Sequence, residues 1–142
     1  MLLDANLLLY AVNADAPEHP AAKAWLESVL NGPRRVGIPW ESLTAFLRIA
    51  TSPRVFARPL APDVAWSVVS AWLAAPVTWV PVATDRHHLV LEELFAKYRP
   101  SGRAVPDTHL AALAIEHGAE ILSADTDFAR FSEIRWRNPL AG

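Results

Sequence analysis

The sequence predicts an α/β fold, a three-layer α/β/α arrangement around a central, mostly parallel sheet. Two observations carry that prediction. Short apolar runs at 1–3, 35–38, 77–80, 121–122 and 134–136 alternate with longer stretches whose apolar residues recur at helical spacing. The chain has 142 residues, of which 52% are apolar and 20% charged, which suits one domain spanning 1–142 and excludes a disordered chain.

The elements follow in order. Met1-Leu2-Leu3 is a strand, and residues 5–13 form a short helix. Residues 18–30 form a second helix with Trp25, Leu26 and Val29 apolar, stopped by Asn31-Gly32-Pro33. Arg35 to Ile38 is a strand closed by Pro39. Residues 40–51 are helical, since Leu43, Phe46, Leu47 and Ala50 fall at i, i+3, i+4 and i+7. Residues 62–74 form another helix, and 77–80 a strand. Residues 85–98 are helical with Leu91, Leu94, Phe95 and Tyr98 as the stripe. Arg99 to Val105 is a loop. Residues 107–117 form a helix that Gly118 ends in the C′ position. A strand at 121–122, a helical turn at 127–131 and a strand at 134–136 complete the chain.

Composition excludes several classes. With no cysteine there is no disulfide framework, thiolate metal site or Cys nucleophile. No apolar run approaches the ~18 residues that span a membrane. The N-terminus lacks a basic region, and Asp4 interrupts its apolar stretch, so no signal peptide is expected and the cytoplasm is the expected compartment. The net charge of −2 gives no overall basic field. Yet 11 of the 13 basic residues are arginine, the better side chain for gripping phosphate, so net charge leaves a nucleic-acid partner open.

The acidic residues carry the chemistry. Asp4 follows the first strand, and Asp125 and Asp127 follow the strand at 121–122. All strand C-termini of a parallel sheet share one edge, where ligands bind, so Asp4 and Asp125 meet if those strands are neighbours. Asp107 lies on the inward stripe of its helix with Leu110, Ala111 and Ala114. Glu41, in the first turn of its helix, is turned away from the apolar stripe and free to face a cleft. Each acid alone also suits a helix cap or the positive end of a helix dipole. Gathered at one edge, they repel unless a cation lies between them, and oxygen-only donors suit Mg²⁺ or Mn²⁺.

Four segments then resemble a known family: MLLDANLLLYA, PWESLTAFLRIATSPRVF, VPDTHLAALAIEHGAEIL and SADTDFARF. In series they are similar to the PIN-domain ribonucleases, and most closely to the VapC toxins of bacterial toxin–antitoxin pairs. The resemblance covers essentially the whole chain. It implies a PIN-like fold and a Mg²⁺- or Mn²⁺-dependent endoribonuclease that leaves a 5′-phosphate and a 3′-hydroxyl. It also implies a VapB-like antitoxin partner and structured RNA, such as tRNA or rRNA, as substrate. Carried over by residue, the catalytic acids are Asp4, Glu41, Asp107 and Asp125, with Asp127 as a fifth acid. Asp4, Asp107, Asp125 and Asp127 are the expected metal-holding set. Asn6 and Ser123 match the small polar residues that fix carboxylate rotamers.

Arg48 lies on the helix of Glu41, and Arg99 and Arg103 flank Ser101-Gly102 in the loop before Asp107. All three are candidate RNA contacts, the loop pair more so. In the helix 62–74, Trp66, Val69 and Leu73 form a second apolar stripe opposite Val64, Val68, Ala71 and Trp72. A helix apolar on both sides is buried on both sides, which predicts contact with another chain, either a second copy or the antitoxin. The alternative is a helix sandwiched within the fold.

Other functions predict other features. A metal-free ribonuclease needs two converging histidines. His87 and His88 point about 100° apart on a helix. His109 faces away from Asp107, and His19 and His117 lie near helix ends, so no converging pair is expected. A non-catalytic RNA-binding or scaffold relative would lack an acid, and none is missing. A haloacid-dehalogenase-like phosphatase needs a second Asp two residues after Asp4, where Asn6 stands. A receiver-type domain needs an Asp after the middle strand, where Pro39 follows Ile38.

Overall fold

The computed structural model describes residues 1–141. Its elements are β1 (Leu2–Leu3), α1 (Ala5–Val12), α2 (His19–Leu30), β2 (Val36–Gly37), α3 (Trp40–Ala50) and α4 (Pro62–Ala74). They continue with β3 (Thr78–Trp79), α5 (His87–Tyr98), α6 (Ala104–His117), β4 (Ile121–Leu122), a 3₁₀ turn (Thr126–Arg130) and β5 (Trp136–Arg137). All four strand pairings are parallel, in the order β3-β2-β1-β4-β5. The chain moves outward from β1 to β3, then returns to the other side of β1 as β4. That reversal opens a crevice at the C-terminal ends of β1 and β4, the place where open α/β sheets bind ligands.

Alternation of side chains along the strands makes the three layers. Leu3 and Leu122 point into a core with Leu7, Leu8, Leu26, Leu43 and Phe46, under α1 to α4. Their neighbours Leu2 and Ile121 point the opposite way, into a core with Leu94, Leu110 and Leu113 under α5 and α6. The strands are shorter than the apolar runs. Pro39 and Pro81 follow them closely and cannot donate to a ladder. β2 also passes close to its neighbours, since a Cβ on Gly37 would stand 2.9 Å from the Pro81 ring and 3.0 Å from the Met1 carbonyl oxygen.

Four expectations need correction. α6 begins at Ala104, inside the stretch read as a loop, with Pro106 as its third residue. Proline is tolerated in a first turn because those N–H groups have no intrahelical partner. The loop therefore ends at Arg103, and Asp107 lies a turn inside the helix rather than opening it.

The faces of α4 are also reassigned. Ala65, Val69 and Trp72 are its buried residues, with Trp72 packed edge-on against Phe46 at 4.8 Å between ring centres. Val69, expected to face outward, is fully buried, and Leu73 is half-buried against the same core, while Trp66 is 50% exposed. The core face takes Val68 and Trp72 from one expected stripe and Val69 and Leu73 from the other, while Val64, expected inward, is exposed, because α3 presents Phe46 to Trp72. α4 is thus buried along one face only. On α5, Leu94 is buried with Val90, Leu91 and Tyr98 against it, whereas Phe95 is exposed at the rim. The last strand starts at Trp136, because Ile134 is drawn into a turn by its N–H to the Phe131 carbonyl.

Candidate functional site

Strand pairing brings the first two acids together. The Asp4 N–H donates to the Leu122 carbonyl at 3.0 Å, which extends the β1–β4 ladder and sets Asp4 beside Ser123. The Ser123 hydroxyl donates to Asp4 Oδ2 at 2.7 Å, and the Asn6 amide donates to the same oxygen at 3.2 Å. Ser123 Oγ also accepts from the Asp125 N–H at 3.0 Å, and Asn6 Oδ1 accepts from the Ala124 N–H at 3.2 Å. Asn6 and Ser123 therefore link the start of α1 to the chain beyond β4 at this edge.

Capping and clustering are not alternatives here. Asp4 Oδ1 accepts from the Ala5 N–H and caps α1, while Asp125 accepts from the Asp127 N–H at 2.8 Å and caps the 3₁₀ turn. Burial pushes the Asp4 carboxyl above its usual range, the Ser123 hydroxyl opposes that shift, and Asp125 adds to it.

Asp107, Asp125 and Asp127 form the tight group, with one carboxylate oxygen from each lying within 4.8 Å of the others. Asp107 is pushed up to about 6, first by partial burial and then by the negative charges of Asp4 and Asp125. Asp4 stands just outside this triad, with three donors already on its two oxygens. A carboxylate has about four lone-pair sites, so Asp4 keeps acceptor capacity toward the cluster.

A cleft of about 620 Å³ opens over the triad, lined by Ser101, Arg103, Ala104, Asp107, Asp125, Asp127 and Arg130. Of the expected RNA contacts, only Arg103 lines it. Arg99 is the left-handed C-cap of α5 with φ 50°, and Arg48 is exposed in the last turn of α3. Arg130 went unnoticed in the sequence. Its place three residues after Asp127 in a helical turn was the available signal, and its guanidinium lies 3.5 Å from Asp127 Oδ2.

Glu41 is 44% exposed at its side chain and lines a smaller hollow with Asp4, Ala5 and Asp107. Its Oε2 is bonded to His109 Nε2 at 2.8 Å. His109 Nδ1 in turn meets His87 Nε2 at 3.0 Å, and His87 Nδ1 meets Glu116 Oε2. The histidines do converge, contrary to expectation, because α5 packs against α6 and turns His87 toward His109. His87 Nδ1 and His109 Nε2 each face a carboxylate oxygen, and the contact between the two rings joins these bonds into one row. The bond to Glu41 raises the His109 pKa, and the same bond holds Glu41 below its usual range.

The donor set decides which ion fits. The triad offers carboxylate oxygens alone, and burial, with the neighbouring negative charge added to it, already disfavours ionisation of Asp107. A hard divalent cation such as Mg²⁺ or Mn²⁺ matches such oxygens and relieves their repulsion.

The PIN domain family model matches residues 1–134. Ribonuclease VapC37 of Mycobacterium tuberculosis is 44% identical over 140 residues, covering 99% of this chain and 97% of that protein. Ribonuclease VapC43 of the same species is 40% identical over 142 residues, covering 100% of this chain and 97% of that protein. Among solved structures, VapBC2 from Rickettsia felis, bound to a DNA fragment from its promoter, superposes with a TM-score of 0.71. At 16% identity over 96% of both chains, that likeness speaks for the fold alone. Matched along nearly its whole length, and with its acids gathered at the strand reversal, the chain belongs to the PIN domain family, among the VapC ribonucleases.

Proposed function

We propose that this chain is a divalent-metal-dependent endoribonuclease and the toxin of a toxin–antitoxin pair, countered by a VapB-like antitoxin. The carrying observation is the convergence of Asp107, Asp125 and Asp127, from two separate stretches of sequence, within 4.8 Å at the sheet's ligand-binding edge. Asp107, Asp125 and Asp127 hold the ion, with Asp4 completing the set from its hydrogen-bonded position. When bound, the cation supplies neutralisation of the charge that builds on the scissile phosphate. Glu41, at the rim of the same hollow as Asp4 and Asp107, orients the attacking water. Arg103 and Arg130, which both line the cleft, grip RNA phosphates, since a guanidinium fork suits phosphate oxygens. Arg99 and Arg48, which do not line the cleft, act on flanking backbone. Structured RNA is the expected substrate class.

The test is cleavage of RNA by the purified protein with Mg²⁺, with Mn²⁺ and with a chelator. Cleavage is expected only with the metals, leaving 5′-phosphate ends, and it persists when the nucleotide at the cut carries no 2′-hydroxyl. Asp107→Asn and Asp125→Asn lower the rate by about a hundredfold or more, since even partners that merely support a metal site cost roughly ten- to hundred-fold when removed. Full activity in chelator removes this reading.

A further inference from the structure

The hydrogen-bonded row of Glu116, His87, His109 and Glu41 joins α5 and α6 to α3, and the acidic cluster does not account for it. Glu41 stands on α3, in the layer over one face of the sheet, while the other three stand on α5 and α6 over the opposite face. Its far end is anchored. Glu116 has no exposed side-chain surface, and its Oε1 accepts from the Thr84 N–H at 2.9 Å and the Thr84 hydroxyl at 2.6 Å. Side-chain exposure then rises along the row, from 0% at Glu116 to 16% at His87, 31% at His109 and 44% at Glu41.

A tie made only for stability needs no exposed end. This one delivers its outermost carboxylate to the hollow shared with Asp4 and Asp107. Without the tie, an exposed Glu at the start of a helix samples several rotamers, and most of them point away from one chosen atom. Geometric control of this kind matters to rate because a reacting group displaced by about an ångström can cost a hundredfold.

We propose that His109, backed by His87 and Glu116, is a positioning residue that fixes the Glu41 carboxylate at the rim of the acidic site. This rests on the placement of Glu41 in the catalytic set above. His109 touches neither the cluster nor the reacting phosphate in this role. It acts through Glu41.

Steady-state kinetics on one RNA oligonucleotide test the idea, using His109→Leu, His109→Gln, Glu41→Ala and the double variant His109→Leu/Glu41→Ala. Each protein is first checked for folding by its melting curve. His109→Leu is expected to lower kcat by about ten- to hundred-fold while KM stays within about twofold, the range seen when partners that orient a working group are removed. His109→Gln recovers much of that loss, because the Gln amide N–H reaches the place of Nε2–H. In the double variant the loss is no larger than in Glu41→Ala alone. Unchanged kcat in His109→Leu, equal loss in Leu and Gln variants, or multiplying losses in the double variant overturns the proposal.

A separate outcome addresses the underlying reading. If Glu41→Ala cleaves as fast as the wild type, Glu41 has no catalytic role, and the positioning role falls with it. The bond itself has its own readout in the imidazole N–H resonances. A slowly exchanging His109 Nε2–H should be present in the wild type and lost in Glu41→Ala, and its absence from the folded wild type also overturns the proposal.

Discussion

Asp107 shows how one side chain serves function against stability. Its carboxyl is raised from 3.8 to about 6, so the fold favours the protonated form. The stabilisation this brings is present in full below 3.8 and is lost as pH rises through about 6. At neutral pH the native state therefore carries a cost that an uncharged isostere avoids. Asp107→Asn is expected to melt above the wild type at neutral pH, with the gap closing as pH falls toward 3.8. Half-exposed as the group is, screening holds the gain to about 1 kcal/mol, or roughly 3 °C. Thermal melts across that pH range check both sign and window. Ser123 works in the other direction. It is fully buried and bonded to Asp4, Asn6 and the Asp125 N–H, so Ser123→Ala costs about 1–3 kcal/mol in denaturant unfolding.

Among the elements, α3 and α4 decide which faces meet. The Ser42 hydroxyl donates to the Leu3 carbonyl at 2.7 Å in the buried interior, pinning α3 to β1 and with it the start of the helix that carries Glu41. On α4, Val69 is fully buried and Trp66 half-exposed. Val69→Ala leaves a cavity and should cost about 2 kcal/mol, whereas Trp66→Ala should stay within about 0.5 kcal/mol. Denaturant midpoints of the two variants check this, and the reverse ranking contradicts the assigned faces. The outward apolar residues of α4 are then Val64 and Trp66, a narrower patch than the expected stripe of Trp66, Val69 and Leu73.

At the scale of the whole molecule, strand order matters more than any one contact. Placing β4 beside β1 puts Asp4 near residues more than a hundred positions away and makes the acidic cluster a single electrostatic unit. A cation bound there stabilises only the folded state. At a hundredfold excess over its Kd, Mg²⁺ should add about 2.7 kcal/mol to unfolding and raise the melting temperature by several degrees. Asp125→Asn should show a much smaller rise. An equal rise in both proteins would place the ion elsewhere.

Local pattern was enough to reveal the alternation of elements, because apolar periodicity and turn residues act within one element at a time. It placed α4 at residues 62–74, a cap at Gly118, where the structure has φ 62°, and acids directly after β1 and β4. The carboxylates were legible for the same reason, since a polar residue ending an apolar strand stands out in the chain itself. What surrounds them was not legible. Whether Val69 faces inward depends on Phe46 and Trp72 from other turns, and whether Arg130 lines the cleft depends on where the 3₁₀ turn lies over α6. The meeting of His87 with His109 depends on the docking of α5 on α6. Each is a contact between residues far apart in sequence, chosen by the packing of whole elements, and only the tertiary structure decides it.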